Sequence, residues 1–471
     1  MKLLFIILLP LLTIALLPVK KFSRLAFYIS VCILGISNII LLSTLKMHFS
    51  QIIINQYLVL LIDKYAWFFA MVVNICWILT TIYSYSFVRY DFQKKAKKFH
   101  FFLAFILSTV LGAAFSGNLI TLFTFYILSI PLIYPLVTLR DNPEAHKAGR
   151  IYLLYNLLPT LFILLPAVLI TSHLTHYANF GDNAITNLSS KPVTASILLA
   201  MFIIAMSKNC VFPFNRWLPN TMQTPTPIAA LIHSVAAVKV GSISLIKIAV
   251  YIYHLDFLHK LNTNFFMTGW LTYLCGFTAL YSAYKALKTS DLKVRFSEST
   301  VSQLSYIITA ILTGTPTSIL GAKLHIITHS IAKCCLFFIA GFYNCVYSTV
   351  NTSQVARISP YKKWLTVSVL ISGLSIAGFP FLAGYLSKDL MLIEELHSGN
   401  YAAAIFLVSG SILNLFYILP LAKASFFNPK PEEIENRAIP TSMKIAIILA
   451  TLIIITISVY TYTVVRVIES F

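Results

Sequence analysis

The stretch that decides the fold runs from Lys208 to Lys247 and reads KNCVFPFNRWLPNTMQTPTPIAALIHSVAAVKVGSISLIK. Two prolines, Pro213 and Pro219, closely follow a lysine that lies in one apolar run, and Lys239 lies in the middle of the next run. Proline removes a helical hydrogen bond and clashes with the preceding turn, so the first run is predicted to be a broken helix. A lysine inside an apolar run is expensive in lipid and is therefore a candidate functional residue.

The rest of the chain has the same apolar character. Of its 471 residues, 58% are hydrophobic and 11% are charged, whereas soluble domains average about 25% charged residues. Apolar runs of about 20 residues recur and are long enough to cross a bilayer, where only structures that satisfy their own backbone hydrogen bonds are stable. We therefore expect an all-α polytopic membrane protein with about fourteen transmembrane helices. The predicted spans are 3–19, 25–45, 65–88, 101–116, 118–138, 151–172, 195–216, 227–253, 264–284, 300–314, 317–347, 364–390, 401–421 and 443–465. The first run has no small-residue cleavage site, so we expect it to be a retained helix.

The charge distribution predicts the orientation. The net charge of +20 comes from Lys and Arg residues concentrated in alternate connections, which marks those connections as cytoplasmic and places both termini outside. We therefore interpret the positive charge as topogenic and expect no nucleic-acid partner. The seven cysteines lie in apolar runs without a CxxC pair, so we expect no metal, iron–sulfur or other cofactor site. The predicted location is a cell inner membrane.

Four lysines lie deep in predicted spans: Lys208, Lys239, Lys333 and Lys388. Burial penalises the charged ammonium, so such a lysine can load and release a proton. A lysine near a span end can instead extend to the interface, as we expect for Lys323 and, with equal weight, for Lys247.

Histidines accompany these lysines. His325, His329 and Lys333 follow one another at a spacing of four, which places them near one face of one helix. His233 precedes Lys239 on another span. A single membrane histidine often hydrogen-bonds a neighbouring helix, but two histidines and a lysine on one face favour a proton relay.

A second broken span is predicted where Gly378 and Pro380 precede Lys388. Interrupted spans at corresponding positions of two halves indicate the transport site of an inverted-repeat transporter. We therefore expect two inverted five-helix repeats, with discontinuous helices seven and twelve. The expected divisions are helices one to three in 1–100, a proton-conducting core in 101–390, and helices thirteen and fourteen in 391–471.

The stretch from Lys208 to Lys247 resembles the signature of the antiporter-like membrane subunits of respiratory complex I, Mrp-type cation/proton antiporters and membrane-bound hydrogenases. The resemblance continues in order through Asp291 to Leu304, His325 to Gly341, and Gly378 to Asp389. It implies that the proton path contains residues from both repeats. These residues are Lys208, His233, Lys239, His325, His329, Lys333, Lys388 and Asp389.

One departure from the family pattern concerns the fifth span. The family has Glu within a motif such as FYELLS, and Ile127 stands at that position. The other acidic residues are predicted to lie in loops or at span ends, and only Asp389 approaches membrane depth. Lys208 therefore lacks the carboxylate with which the family lysine pairs.

Three functions remain open at this point. The first is a membrane subunit of a multisubunit Mrp-type antiporter that exchanges protons for Na⁺ or K⁺. The second is a proton-translocating subunit of NADH:quinone oxidoreductase or a related hydrogenase, in which other chains carry out the redox reaction. The third is a divergent paralogue that keeps the fold without pumping, which the missing Glu favours. The expected partners are other membrane subunits and the lipid bilayer.

Overall fold

The chain folds into a bundle of helices with one small sheet. The computed structural model describes residues 2–16, 22–43, 50–53, 55, 57–91, 93–180, 186–358, 363–427 and 440–469. The helices of the first half are α1 Lys2–Leu8, α2 Phe22–Ser43, α3 Lys64–Asp91, α4 Ala96–Ala114, α5 Leu119–Val137, α6 Pro143–Pro159, α7 Leu165–Leu174, α8 Thr186–Ser189, α9 Pro192–Ala205, α10 Trp217–Asn220, α11 Thr226–Leu231 and α12 Val238–Lys247. The helices of the second half are α13 Leu255–Thr263, α14 Trp270–Lys288, α15 Leu292–Thr313, α16 Pro316–Tyr347, α17 Thr352–Ile358, α18 Lys363–Ala377, α19 Ala383–His397, α20 Tyr401–Phe427, α21 Thr441–Val459 and α22 Thr461–Glu469. Short 3₁₀ and π segments extend or join several of them, as at Leu9–Leu16, Thr160–Leu164, Ile232–Ala236, Ile248–Tyr253 and Phe265–Gly269.

Length and composition support a polytopic membrane fold. Among the described residues, eight helices are long and apolar enough to cross a bilayer, and four shorter apolar helices accompany them. Residues 17–19 and 44–45, which end the first two predicted spans, lie outside the described residues. The count of fourteen spans therefore stays a prediction.

The bundle has a buried centre and a lipid-facing periphery. The most apolar window of α16 is 100% buried, and that of the continuous helix Thr226–Tyr253 is 94% buried, against 33% for α21. A helix that is hydrophobic all round is normally buried, and polar residues on it must then find partners inside the protein. The two central helices carry Lys239, Lys333, His325 and His329, so the predicted relay residues lie in the core.

The expectation of an all-α chain is wrong in one place. Residues Ser50–Ile53 and Val59–Ile62 form an antiparallel hairpin, β1 and β2, within a stretch predicted to be a polar connection. The sequence Val-Leu-Leu-Ile of β2 suits a strand, and all four of its residues are buried. Its outer edge is also paired, because Leu61 N–H donates to Phe115 O at 2.7 Å and Gly117 N–H donates to Val59 O at 2.7 Å. The hairpin thus fills the space beside the α4–α5 connection.

Several described segments lie at the same end of the bundle, which we call the hairpin face. They are the hairpin, the start of α3, the end of α15, the start of α16 and the end of α19. A contact fixes this arrangement, because the Lys323 ammonium in the second turn of α16 lies 5.4 Å from the ring centre of Tyr65 in α3. The charge distribution predicts that this face is the outward one.

Both predicted breaks are present. Helix α9 ends at Ala205, and residues 206–216, which include Pro213, form a 3₁₀ turn and further turns before α10. Pro219 lies inside the four-residue helix α10, beyond the break. Helices α18 and α19 are separated by residues 378–382, which contain Pro380, and Gly378 adopts a φ of 82° that favours glycine. The second span also extends to His397, whereas the sequence predicted an end near residue 390.

Candidate functional site

The central contact of the candidate site joins the two buried helices. The Lys239 ammonium nitrogen lies 2.9 Å from His329 Nδ1. Lys239 is 0% exposed and His329 is 1% exposed, so the contact is screened from solvent. His329 Nε2 has no hydrogen-bond partner among the described residues. One ring nitrogen therefore meets a lysine, and the other is free to exchange a proton with a transient partner.

The contacts continue along α16 to the second broken helix. The rings of His325 and His329 have centroids 5.8 Å apart. His325 Nδ1 lies 3.0 Å from Ser387 Oγ, and its Nε2 lies 3.1 Å from Gln303 Oε1. The Gln303 amide can present either oxygen or nitrogen to the ring, so it suits both neutral and charged imidazole. Ser387 directly precedes Lys388 in α19, so His325 contacts the helix that follows the second break.

Lys388 is held beside the gap in its helix. Its ammonium donates to Ser411 Oγ at 2.7 Å and to Ala377 O, at the end of α18, at 3.4 Å. A Cβ at Gly378 would lie 2.8 Å from Lys388 Cδ, so glycine leaves room for the lysine stem. A cavity of about 260 Å³ is lined by Lys388, Asp389 and Ser411. Most of the other lining residues are apolar, such as Leu392, Leu407 and Ile412, so Lys388, Asp389 and Ser411 form the polar part of this cavity.

Lys333 and His233 form hydrogen bonds with α15 and not with the other relay residues, so the predicted relay face is not one continuous chain of hydrogen bonds. The Lys333 ammonium donates to Phe296 O at 2.9 Å and to Ser299 Oγ at 2.8 Å. His233 Nδ1 lies 3.3 Å from Thr300 Oγ1. Both residues therefore contact α15, and Lys239 is the lysine that bonds the α16 histidine.

Lys208 occupies the break after α9 and has neutral partners. Its ammonium donates to Tyr126 O at 3.0 Å and also to Ser129 Oγ, and it lies 3.9 Å from the centre of the Tyr126 ring. Ile127 is only half-buried, whereas Tyr126 and Ser129 are buried. The side chain that faces this lysine is therefore a serine, and no carboxylate contacts it among the residues that the structure describes.

Three acidic residues are more deeply buried in the bundle than Asp389. Asp389 is half-buried, whereas Asp63 is 4%, Glu298 is 5% and Glu395 is 0% exposed. Asp63 Oδ2 lies 3.2 Å from the ammonium of Lys247, and both side chains are 0% exposed. Asp63 directly precedes α3, as predicted, and is buried by tertiary packing, whereas Glu395 lies in α19, which continues to His397 beyond the predicted end near residue 390.

Lys247 and Lys323, the two lysines for which a position at the membrane interface was considered, are both buried. Lys247 also donates to Ser116 O at 2.9 Å, and Lys323 is 6% exposed. Within the described ranges, no group of three or more His, Cys, Asp or Glu side chains is arranged to hold a metal ion. The chemistry that these residues support is therefore proton exchange between nitrogen and oxygen groups in a water-poor core.

Comparisons with known proteins agree with the resemblance. The model of the family described as "NADH:quinone oxidoreductase/Mrp antiporter, TM" matches residues 116–414. A probable K(+)/H(+) antiporter subunit of Rhizobium meliloti (strain 1021) is 26% identical over 386 residues, which are 80% of this chain and 37% of that protein. A Na(+)/H(+) antiporter subunit of Alkalihalophilus pseudofirmus is 24% identical over 374 residues, which are 79% of this chain and 73% of that protein. The chain also spans about half of the staphylococcal antiporter subunits that it matches, 48% in one case from Staphylococcus epidermidis.

Solved structures share the fold across the whole chain. A chain of the Mrp complex from Dietzia sp. DQ12-45-1b superimposes with a TM-score of 0.86 at 17% identity, covering 100% of this chain and 96% of that one. A chain of respiratory complex I from Thermus thermophilus gives a TM-score of 0.77 at 18% identity, covering 98% of each chain. Since the family model covers more than half of the sequence, the chain belongs to the NADH:quinone oxidoreductase/Mrp antiporter transmembrane family.

Proposed function

We propose that this chain is a membrane subunit of a multisubunit Mrp-type monovalent cation/proton antiporter, in which protons move along Lys239, His329, His325 and Lys388. The observation that carries the proposal is the 2.9 Å contact between the Lys239 ammonium and His329 Nδ1 in the core of the bundle. The similarity to antiporter subunits of Rhizobium meliloti and Alkalihalophilus pseudofirmus supports the choice of an antiporter.

The proposed path begins with a proton transfer at the contact between Lys239 and His329. A Lys239 ammonium donates to His329 Nδ1, and transfer leaves a neutral amine and an imidazolium. No direct hydrogen bond joins the two rings among the described residues, because both His325 nitrogens lie next to other partners, Ser387 Oγ and Gln303 Oε1, so a water molecule or a ring rotation completes this step. From His325 the proton passes to the Ser387 hydroxyl, whose own hydrogen now points to Gly384 O at 2.8 Å; rotation of that hydroxyl and a bridging water molecule carry the proton on to Lys388 at the helix break.

The first half of the molecule takes a smaller part in this proposal. Lys208 is solvated by a carbonyl, a hydroxyl and an aromatic ring. None of these groups titrates near neutral pH, so none can hold the proton of the lysine as a stable acid and return it. We propose that Lys208 exchanges its proton with neighbouring groups less readily than Lys388 does. Lys333, His233 and Asp389 would adjust the electrostatics of the path from its sides.

We further propose that about fourteen spans form two inverted five-helix repeats, with α9 and the α18–α19 pair as corresponding broken helices. The core would occupy 101–390, flanked by helices in 1–100 and 391–471. Each break exposes backbone groups next to a buried lysine, at Lys208 in one half and at Lys388 in the other. An inner membrane location follows from this role.

A second candidate function is proton translocation within NADH:quinone oxidoreductase or a related complex. The specific observation is the superposition on chains of complex I from Thermus thermophilus and of an archaeal membrane-bound sulfane sulfur reductase, with TM-scores of 0.77 and 0.81. The third candidate, a paralogue that does not pump protons, is favoured by the missing carboxylate at Lys208.

The neighbouring genes separate the first two candidates, because an antiporter operon and a quinone-reductase operon encode different partner subunits.

The functional experiment is cation-driven proton flux in everted membrane vesicles that contain the chain with its partner subunits. We expect Na⁺ or K⁺ addition to drive proton movement, and we expect Lys388→Ala to reduce it at least tenfold. Lys208→Ala should reduce it less. Lys260→Ala is the matched control because Lys260 is exposed, and it should leave flux unchanged. Unchanged flux in both core variants would refute the proton path, and absence of any cation-dependent flux would support the paralogue.

A further inference from the structure

A carboxyl group lies fully buried in the second half of the bundle, and the path described above does not use it. Glu395 is 0% exposed in α19, two residues before the end of that helix. By hydrogen-bond geometry, neither of its carboxyl oxygens has a partner among the described residues. The nearby Thr309 hydroxyl donates its hydrogen to Tyr306 O at 2.9 Å. The carboxyl group is therefore enclosed by the protein, and the hydroxyl group beside it, that of Thr309, directs its hydrogen to a backbone carbonyl.

The position of Glu395 relates it to Lys388. The two residues are seven apart on α19, which places them on the same face and about 10 Å apart along the axis. Tyr306 of α15 lies beside Lys388, since its ring centre is 5.3 Å from the Lys388 ammonium. Thr309, three residues further along α15, is the neighbour of Glu395, so α15 runs past both residues. The Tyr306 hydroxyl receives a hydrogen bond from Ser302 at 3.1 Å, so its own hydrogen can point elsewhere.

The surroundings of Glu395 contain few other charges. Of the helices packed against α19, α15 contributes Tyr306, and α16 contributes His325 beside Ser387, two turns away. On α19 itself, Asp389 and Glu394 are half-buried. An ionised carboxylate buried without a paired cation costs far more than a neutral acid. The resting form of Glu395 is therefore the protonated acid, which holds one exchangeable proton.

We propose that Glu395 is the proton-binding group through which the Lys388 end of the path communicates with the hairpin face. The proposal rests on the proposed function and names a residue for its outward step. When Glu395 has released its proton, the Lys388 ammonium supplies another through the Tyr306 hydroxyl or a water molecule. The lysine becomes a neutral amine and the carboxylate becomes a neutral acid. The acid then gives its proton to water at the hairpin face, which begins one turn away at His397 and Gly399, both exposed.

The transfer suits a low-dielectric core. An ammonium and a carboxylate about 10 Å apart along the helix are exchanged for two neutral groups, so the product requires no buried charge. Glu395 becomes negatively charged again when it releases its proton to water at the hairpin face. Glu395 would thus supply, in the second half, the titrating carboxylate that Lys208 lacks in the first.

Two measurements on the full-length chain test this proposal. The first is the infrared spectrum of the purified chain in vesicles of ether lipids, which have no ester carbonyl that would absorb in the same region. We expect a C=O stretching band from a protonated carboxylic acid with little hydrogen bonding, and we expect Glu395→Gln to remove that band. The matched control, Glu394→Gln, changes the neighbouring half-buried residue and should keep the band. A wild-type spectrum without this band, or a band that persists in Glu395→Gln, would overturn the assignment.

The second measurement is cation-driven proton flux in vesicles that contain the partner subunits. Glu395→Gln keeps the shape but cannot titrate, and we expect at least a tenfold loss of flux. Glu395→Asp retains a titrating group and should recover part of it. Full flux in Glu395→Gln, together with a loss in Lys388→Ala, would refute the role of Glu395 while leaving the proposed path intact. The infrared result does not depend on transport, so it remains decisive even if the chain moves no protons.

Discussion

The buried ion pair between Asp63 and Lys247 allows a quantitative test of how the hairpin is attached to the core. Its charged atoms lie 3.2 Å apart and both side chains are 0% exposed. At an effective dielectric constant of about 20, their attraction is about 5 kcal/mol. Much of this is offset by the cost of removing both charges from water. The pair should therefore contribute little net stability, although the loss of one partner should be severe.

The perturbation is a cycle of Asp63→Asn, Lys247→Met and the double variant. Asn preserves the oxygen that caps α3, where Ala66 N–H donates to Asp63 Oδ1 at 2.5 Å. Its amide nitrogen then replaces the oxygen that faces Lys247, so the first change removes the negative charge and sets two donors against each other. Each single variant leaves one buried charge without its partner and should lose about 3–5 kcal/mol of unfolding free energy. The double variant buries neither charge, so it should lie within about 1.5 kcal/mol of the wild type.

The assay is equilibrium unfolding of the purified chain in mixed micelles of increasing sodium dodecyl sulfate content, followed by tryptophan fluorescence. A double variant as unstable as the worse single variant would refute the reasoning, because it would mean that packing and not charge dominates the site. Single variants with losses below about 0.5 kcal/mol would also refute it, since they would indicate that water reaches the pair.

Two further predictions concern packing and the first lysine. Gly410→Ala should lower the unfolding free energy by about 1–3 kcal/mol, because the new Cβ would overlap the Tyr306 hydroxyl oxygen. Gly35→Ala is the control, since nothing lies within 4 Å of the place where its Cβ would stand, and an equal loss in both variants would contradict the steric explanation. Ser129→Ala should cost about 1–3 kcal/mol in the same assay, because the Lys208 ammonium loses a hydroxyl partner in the core; no change in stability would show that water replaces the hydroxyl.

The sequence predicted the class of fold because hydropathy and proline placement report directly on membrane helices. The break near Pro213 and the break around Gly378 were both expected on this basis. The grouping of His325 and His329 near one helix face was expected from the spacing of four, since residues four apart share a helix face, and the resemblance placed Lys239 on the same proton path. These features depend on local sequence, so they could be predicted without a structure.

The missed features depend on tertiary contacts. Asp63 lies next to a span end, and only the hairpin that covers it makes it a buried residue. Glu395 was assigned to a loop because α19 continues beyond its apolar part, where helix packing and not hydropathy sets the end. The spacing of four predicted a relay along His325, His329 and Lys333, but spacing alone could not show that His329 contacts Lys239 of α12 whereas Lys333 bonds to α15.

The central claim is that Lys239 and His329 act as one unit in moving protons, and a double-mutant cycle in proton flux tests it most directly. The variants are Lys239→Met, His329→Leu and both together, measured in vesicles with equal amounts of assembled complex. Residues that act as a unit show non-additive losses. We predict that each single change lowers proton flux at least tenfold and that the flux of the double variant is no lower than that of the less active single variant. Losses that multiply, or flux that survives either single change, would contradict it.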